Sequence, residues 1–194
     1  MKTIKYLFVL FCLTVLLAGC TQAPEVSPAI SEEIIQEINF ARTQPKQYVT
    51  QRLSIIDTSK KSESYKQALD EVIDQMTRMK NPLPELTMAD GLYKCAKEWV
   101  DVSGPQGIVG HDTNLGTRFQ KYCKYTTVGE NCSYGYSTAK EIVAELLIDD
   151  GVETRGHRQN ILASAFTHAG AAVGSHKKYK TMCCIDFASG YKEK

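Results

Sequence analysis

The sequence predicts a single α+β domain, and three observations lead to that prediction. Helical patterns of apolar residues fill most of the first half of the chain, and β-rich apolar runs come last. Strands do not alternate with helices as in repeated βαβ units, so a layered α+β arrangement is favoured over a parallel sheet. The length that remains after an N-terminal export signal suits one domain with one hydrophobic core.

The first 20 residues are typical of a bacterial lipoprotein signal. Two lysines precede an apolar run over residues 6–18, which is shorter than the roughly 20 residues of a membrane-spanning helix. The small residues Ala18 and Gly19 then precede Cys20. We therefore expect cleavage before Cys20 and attachment of acyl chains such as palmitate at that residue. The alternative is an ordinary secretory signal followed by an incidental cysteine.

This interpretation divides the chain into a signal peptide at residues 1–19, a lipidated tether at residues 20–30 and a folded domain at residues 31–194. Several acyl chains on one cysteine bind a membrane stably, whereas a single chain binds it only marginally. The membrane is thus an expected partner, and we expect an extracytoplasmic protein of the cell envelope. Thr21 stands where an aspartate commonly retains lipoproteins at an inner membrane, which favours the outer membrane or the cell surface.

The net charge excludes one class of partner. Residues 1–19 carry two lysines and no acid, so their removal changes the formal net charge from +1 to −1. A nearly neutral domain without a long run of like charge has no electrostatic footprint for nucleic acid.

Two helices are predicted at the start of the folded domain. Ser31 is a candidate N-cap for a helix that ends before Pro45, and the acids that follow Ser31 suit the helix dipole. An apolar stripe at helical spacing predicts the second helix over about residues 62–80. We interpret that stripe as a core face.

Three more helices are predicted along the rest of the chain. One begins near Asp90 and is stopped by the Gly-Pro pair at residues 104–105, so residues 104–118 are expected to form a loop. The capping box at residues 138–141 opens the next helix. A short helical or turn segment is expected at residues 156–162.

Three strands are predicted, and two of them finish the chain. They cover about residues 128–134, 169–175 and 179–188. Cys183 and Cys184 are adjacent in the last strand, so their side chains should point to opposite faces of the sheet. We therefore do not expect these two cysteines to bond to each other.

The cysteines beyond the signal leave the disulfide pattern open. Their number is odd, so at least one thiol stays free or pairs between chains. Export makes disulfides possible, and Cys123 and Cys132 are near enough in sequence to close a short loop. The five residues concerned are Cys95, Cys123, Cys132, Cys183 and Cys184.

Two histidines and one acid are candidates for a metal site. His111 and His157 both follow a glycine, and Glu130 lies between them in the chain, also after a glycine. Two imidazoles with one or two carboxylates are enough for a divalent cation, with water completing its shell. The alternative is that both histidines only form hydrogen bonds within loops. The sequence has no HExxH metal motif, no phosphate-binding P-loop and no Gly-x-Ser-x-Gly nucleophile motif.

Several short motifs follow one another between about residues 31 and 190. In chain order they are Ile38–Pro45, Leu86–Thr87 with Leu92 and Ala96, Gly110–His111, Gly129–Cys132, Arg155–Leu162, and Phe166 and Gly170 with Ile185–Ala188. In this order they resemble the CAP superfamily of SCP-like domains, which includes cysteine-rich secretory proteins, antigen 5 proteins and plant pathogenesis-related proteins. The resemblance is greatest to the bacterial secreted branch.

The resemblance implies a three-layer α–β–α sandwich with a central antiparallel sheet and a cleft lined by two histidines and two acids. In the family these four side chains can hold a divalent cation, often zinc. By motif, His111, Glu130 and His157 match the two histidines and the first acid. The second acid is usually a glutamate after a tryptophan, and here either Asp149 or Asp150 stands in its place. The shorter side chain puts metal affinity in question.

The resemblance leaves three functions open. The first is a tethered binding module whose cleft takes a cation and a lipid, sterol or peptide ligand. The second is a metal-assisted hydrolase that acts like a peptidase or esterase, with a metal-bound water as nucleophile. The third is a surface interaction protein with a vestigial cleft. The missing glutamate, and the lack of a motif for a nucleophile or an oriented base, favour binding over catalysis.

Other polar residues near these motifs are interpreted as structural. Arg118, Arg158 and Asn160 are expected to satisfy local backbone groups and acids. His168 and His176 match no site of the family and are expected to be structural or solvated.

Overall fold

The structure, a computed structural model, describes residues 28–194. The predicted signal peptide at residues 1–19, the lipidation at Cys20 and most of the predicted tether lie outside the described residues. None of the helices within residues 28–194 combines the length and the apolar character that a membrane span requires.

Seven α-helices and six strands make up the described part of the chain. The helices are α1 Pro28–Thr43, α2 Pro45–Tyr48, α3 Glu63–Thr77, α4 Asp90–Gln106, α5 Leu115–Tyr122, α6 Ala139–Ile148 and α7 Gly156–Ile161, and a π-helical turn, Val49–Leu53, follows α2. The strands are β1 Thr87–Met88, β2 Cys123–Lys124, β3 Thr127–Tyr134, β4 His168–His176, β5 Lys180–Ser189 and β6 Lys192–Glu193.

The central sheet has four strands in the order β1-β4-β5-β3. The three long strands β4, β5 and β3 pair antiparallel, as predicted, whereas the two-residue strand β1 pairs parallel with β4. The sheet is therefore mixed rather than wholly antiparallel. Strands β2 and β6 form a separate antiparallel pair.

Helices cover both faces of this sheet, which confirms the predicted three layers. Along β5, Ile185 and Phe187 point into a core shared with α1, α3 and α6. Met182 and Cys184 point to the opposite face and pack against α4. Cys183 lies in the first of these cores, so the two adjacent cysteines face opposite sides, as predicted.

Helix α4 lies unusually close to β4. A Cβ atom on Gly170 would lie 2.2 Å from the backbone nitrogen of Tyr93, and one on Gly174 would lie 2.4 Å from a methyl carbon of Val100. Real Cβ atoms do not approach other atoms so closely, so both positions require glycine. This packing fixes α4, and the loop that follows it, over the sheet.

Two helix boundaries differ from the predictions. Helix α1 begins at Pro28, three residues before Ser31, which is buried inside the helix. Proline is favoured in the first turn because its missing N–H has no acceptor there. Helix α4 continues through Pro105 and ends at Gly107, whose φ of +73° suits a left-handed cap. The predicted stop at residues 104–105 was wrong because a proline in the last turn removes only one hydrogen bond.

The predicted loop at residues 104–118 was partly wrong, since α5 begins inside it at Leu115. The buried residues of α5 are only Arg118 and Phe119, and two adjacent positions give no helical period. The three long strands lie within one residue of their predicted bounds. Thr138 accepts a hydrogen bond from the Glu141 nitrogen at 3.3 Å, which confirms the capping box.

Candidate functional site

The candidate site lies at the edge of the sheet formed by β3. Elements from both faces meet there: His111 follows α4 on one face, and His157 lies in the first turn of α7 on the other. Strand β3 lies between them and carries Glu130. The polar groups therefore converge where β3 forms the edge of the sheet within residues 28–194.

His111 forms a pair with the buried acid Glu130. The Nδ1 atom of His111 lies 2.7 Å from Oε1 of Glu130, and the imidazole is half exposed while the carboxylate is buried. Hydrogen bonds to Cys132 and to Glu130 raise the pKa of His111 to about 10. At neutral pH this imidazole is therefore a cation in the metal-free protein.

A buried arginine supports Glu130 from behind. Arg118, from α5, donates to Oε2 of Glu130 and lies 3.6 Å from Oδ1 of Asp186. Its guanidinium also lies over the ring of Trp99, 5.6 Å from the centroid. Burial opposes ionisation of Glu130, but the hydrogen bond from His111 and the charge of Arg118 lower its pKa. Burial raises the pKa of Asp186 well above its usual range.

His157 forms a matching pair with Asp149. Its Nδ1 atom lies 2.7 Å from Oδ1 of Asp149. The other carboxylate oxygen accepts hydrogen bonds from the backbone nitrogens of His157 at 2.9 Å and Arg158 at 3.4 Å. Asp149 caps the end of α6 with a φ of +57°. Two backbone amides at the start of α7 thus hold the acid in place.

Of the two aspartates left open by the sequence, Asp149 contacts a histidine. Asp149 is buried, whereas Asp150 is exposed. Both line a cavity of about 450 Å³ that also includes His157 and Cys132 in its walls. His111 is not among the residues that line this cavity.

The two histidines lie next to each other. Their ring centroids are 6.2 Å apart, with 43° between the ring planes. Each Nδ1 atom faces a carboxylate, and no hydrogen bond to either Nε2 atom is found among residues 28–194. Two imidazoles on one tetrahedral zinc ion, with Zn–N bonds of about 2.0–2.1 Å, have ring centroids about 5 Å apart. The observed separation is about 1 Å longer, so a shared zinc ion would draw the two rings closer together.

Two asparagines connect the halves of the site. Asn131 donates to the His157 carbonyl oxygen at 3.0 Å. Asn160 donates to the side-chain oxygen of Asn131 at 2.8 Å and to the Glu130 carbonyl oxygen at 3.3 Å. The guanidinium of Arg158 donates to the carbonyl oxygens of Leu147 and Ile148. Asn160, Arg118 and Arg158 therefore bond to backbone groups and acids near them, as predicted.

Cys132 also belongs to the site, although no motif in the sequence identified it. Its sulfur lies 3.9 Å from Nδ1 of His111. A hydrogen bond from Cys184 lowers the pKa of Cys132 to about 7, while burial raises the pKa of Cys184 well above its usual range. The two-residue period of β3 was the available signal, because it places Cys132 on the same face as Glu130.

The remaining cysteines and histidines have local roles. The five described cysteines are buried free thiols, so Cys123 and Cys132 do not form the loop that their spacing permits. Cys123 packs near Phe119, whereas Cys132 packs with the cluster around α4. His176 is buried and its Nε2 atom bonds to the Ile108 carbonyl at 3.0 Å. His168 stacks on Tyr191.

Comparison with known families gives one match. The model described as CAP, the cysteine-rich secretory protein family, matches residues 39–187. No curated protein sequence matches the chain.

Solved structures with a similar fold include three bacterial proteins. An outer surface protein of Borrelia burgdorferi is 17% identical with a TM-score of 0.46, over 69% of this chain and 96% of that one. An extracellular protein with an SCP domain from Bacillus anthracis is 21% identical with a TM-score of 0.43, over 65% of this chain. A cysteine-rich secretory protein from Staphylococcus aureus is 16% identical with a TM-score of 0.43, over 68% of this chain. The match spans 40% of each of the last two proteins.

Proposed function

We propose that this chain, which belongs to the CAP family of cysteine-rich secretory proteins, is an extracytoplasmic binding domain. In this proposal Cys20 anchors it to the membrane, and His111 and His157 together hold a divalent cation. We propose zinc because imidazole nitrogen is one of its preferred ligands in proteins.

The observation that carries the cation proposal is the pairing of each Nδ1 atom with a buried carboxylate. Both pairs have a separation of 2.7 Å. A carboxylate on one ring nitrogen fixes the ring and raises the basicity of the other nitrogen, which is how histidine ligands of metals are commonly supported. The same pairing on two adjacent rings fits a shared ion better than it fits two isolated loop histidines.

In this proposal, the histidines and the carboxylates have different roles. The Nε2 atoms of His111 and His157 would bind the ion, and Glu130 and Asp149 would orient the rings. A bound cation would act as a Lewis acid toward an oxygen donor of a ligand. Proton release accompanies binding, because His111 is protonated at neutral pH without the metal.

The cavity beside His157 favours a peptide over a lipid or a sterol. Its walls carry basic side chains at Lys60 and Lys61, acidic ones at Glu145 and Asp150, and the tyrosine hydroxyl of Tyr65. Tyr65 donates to Glu145 at 2.9 Å, so these groups are oriented. Charges of both signs suit a polar chain with its own donors and acceptors, whereas a sterol requires a mostly apolar wall.

Zinc titration of the purified full chain by calorimetry tests the cation proposal. The wild-type chain should bind one zinc ion, and the His111→Ala, His157→Ala double variant should not. His168→Ala is the matched control, because it removes a histidine outside the cleft. Equal zinc uptake by the double variant would refute the proposal.

The same samples distinguish the other two functions. A screen of peptides, lipid vesicles and sterols by binding, and of peptide and ester substrates by turnover, should show peptide binding without turnover. Zinc-dependent hydrolysis that disappears in the double variant would establish the hydrolase instead. If the wild-type chain binds no zinc and none of the screened ligands, and hydrolyses none of the substrates, a surface interaction protein with a vestigial cleft is the remaining function.

Anchoring at Cys20 is tested separately. Mass spectrometry of the mature N-terminus should show an acylated cysteine as the first residue, and Cys20→Ser should release the protein from membranes. An unmodified Cys20 in the mature protein would contradict the anchor and leave the cation proposal untouched.

A further inference from the structure

We propose that Cys132 and Cys184 form a disulfide site that joins the edge strand β3 to the central strand β5 under the cleft. The site would react with a small-molecule disulfide or with a disulfide-carrying oxidoreductase. The inference concerns the thiols of the cleft wall and does not require the bound cation.

The register of the sheet brings the two cysteines together. Cys132 and Cys184 are directly opposite each other in the antiparallel ladder of β3 and β5. Both lie in the same apolar cluster, on the face covered by α4. Side chains that are directly opposite on one face of an antiparallel pair have Cβ atoms about 4.5–5.5 Å apart.

The hydrogen-bond pattern of the ladder makes this pair suitable for a disulfide. Gly135 donates to the Thr181 carbonyl oxygen at 3.0 Å, and these two residues continue the register of the strands. In an antiparallel ladder, hydrogen-bonded and non-hydrogen-bonded pairs alternate. Residues 133 and 131 of β3 therefore belong to hydrogen-bonded pairs, like Gly135, and Cys132 belongs to a non-hydrogen-bonded pair. Non-hydrogen-bonded pairs have Cα atoms about 4.5 Å apart, which lies within the range of about 4.4–6.8 Å for disulfides.

The positions of the two sulfurs suggest an order of events. Cys132 lines the cavity and is therefore the sulfur that a small reagent reaches, whereas Cys184 is fully buried beside it. The thiolate of Cys132 would attack one sulfur of a disulfide RSSR and release RS⁻, which takes up a proton. The thiolate of Cys184 would then attack the Cys132 sulfur and release the second thiol. In total two protein thiols are oxidised, one RSSR is reduced, and two RSH carry away the two protons.

The other described cysteines do not have this arrangement. Cys183 is next to Cys184 in sequence but lies in the opposite core. Cys95 and Cys123 lie in a third cluster with Phe119. Neither Cys95 nor Cys123 is among the residues that line the cavity, so a reagent that enters the cavity meets Cys132 first.

Oxidation would change the surroundings of the candidate site. The thiol of Cys184 donates to Oε2 of Glu130 at 3.2 Å, and the sulfur of Cys132 lies 3.9 Å from Nδ1 of His111. A disulfide removes both thiol hydrogens. Glu130 would keep its bonds to Arg118 and His111, and the edge strand would be held covalently.

Peptide mapping of the folded full chain tests the proposal. The chain, in detergent and first fully reduced, is treated with oxidised glutathione under native conditions, alkylated and digested with trypsin without reduction. We expect a cross-link between the peptide of residues 125–140, which contains only Cys132, and the peptide of residues 181–192. The proposal would be overturned if alkylation modified every thiol, which would show that no disulfide had formed. It would also be overturned if Cys132 kept a glutathione adduct.

Two variants identify the second cysteine, since peptide 181–192 contains both Cys183 and Cys184. The cross-link should persist in Cys183→Ala and disappear in Cys184→Ala, and the two substitutions truncate adjacent, equally buried thiols. The opposite result would overturn the assignment. If either variant fails to fold, fragmentation of the wild-type cross-linked peptide between residues 183 and 184 gives the same answer.

Discussion

The two halves of the candidate site place a carboxylate 2.7 Å from an imidazole by different means. On the side of His111, Glu130 projects from the middle of a strand and is held by the charge of Arg118. On the side of His157, Asp149 caps a helix and is held by backbone amides. The His111 half depends on side-chain charge and the His157 half on backbone conformation. Substitutions that remove charge should therefore destabilise the His111 half more than the His157 half.

The comparison shows how the short side chain of Asp149 reaches His157. The left-handed conformation of Asp149 ends α6 and turns the side chain toward the start of α7. The short carboxylate then reaches both the ring and the amide of His157. The backbone supplies the reach that the missing methylene group would have given.

Arg118→Met should have the largest effect. It removes the buried cation that lies against Glu130 and Asp186, and it leaves Glu130 with the half-exposed His111 as its cationic partner. Removing one partner of a buried ion pair costs about 3–5 kcal/mol. The free energy of unfolding, measured in urea, should fall by that amount. Arg155→Met is the matched control in the other half, because it removes bonds to the Asp149 carbonyl and to Glu71 at a cost of about 1–2 kcal/mol. Equal losses would show that charge is not what separates the halves.

Removing either orienting carboxylate should weaken zinc binding. Glu130→Gln and Asp149→Asn should each reduce the affinity by about 10- to 100-fold, as expected for groups that orient a metal-bound imidazole. Asp150→Asn is the control, since Asp150 is exposed and makes no bond to either histidine. Calorimetric titration measures all three. An effect of Asp150→Asn as large as that of Asp149→Asn would contradict the assignment of the second acid.

The stability that the His111–Glu130 pair contributes should depend on pH, because His111 is charged in the folded chain. Hydrogen bonds to Cys132 and Glu130 raise its pKa to about 10 in the folded chain, above the value near 6.5 of an unfolded chain. The stabilisation is therefore complete below about pH 6.5 and is lost as the pH rises through about 10. Histidine ¹³C NMR of the metal-free chain should show this titration, and Glu130→Gln should move it to lower pH. A His111 signal that titrates near 6.5 in the wild-type chain would refute the pairing.

Asn160→Ala should have the smallest effect. It removes the bonds that link α7 to Asn131 and to the Glu130 carbonyl, each of which contributes about 1 kcal/mol. Thermal unfolding should show a loss of about 1–2 kcal/mol. Gln159→Ala, next to it and exposed, should be nearly neutral. A loss for Gln159→Ala as large as that for Asn160→Ala would show that this bridge does not couple the halves.

Most of the fold could be predicted because long segments have clear periods. The stripe of α3 and the apolar runs of β4 and β5 predicted bounds within a few residues of those observed. Helix α5 could not be found, because its buried residues are the adjacent Arg118 and Phe119. Strand β1 is two residues long and exists only because β4 pairs with it.

The residue types and the order of the motifs were enough to predict part of the candidate site. Resemblance to the family identified His111, Glu130 and His157, and the structure brings these three residues together with Asp149. The choice between Asp149 and Asp150 depends on one positive φ at the end of a helix, which no residue pattern specifies. The position of Arg118 beside Glu130 and Asp186 depends on packing of α5 against β3 and β5.

Anomalous diffraction at the zinc edge, on crystals of the zinc-loaded chain, tests the central claim most directly. We expect one ion within about 2.0–2.1 Å of the Nε2 atoms of both His111 and His157, with each Nδ1 atom still on its carboxylate. An ion bound at Nδ1 of His111 or at the sulfur of Cys132, or one that contacts only a single histidine, would contradict the account.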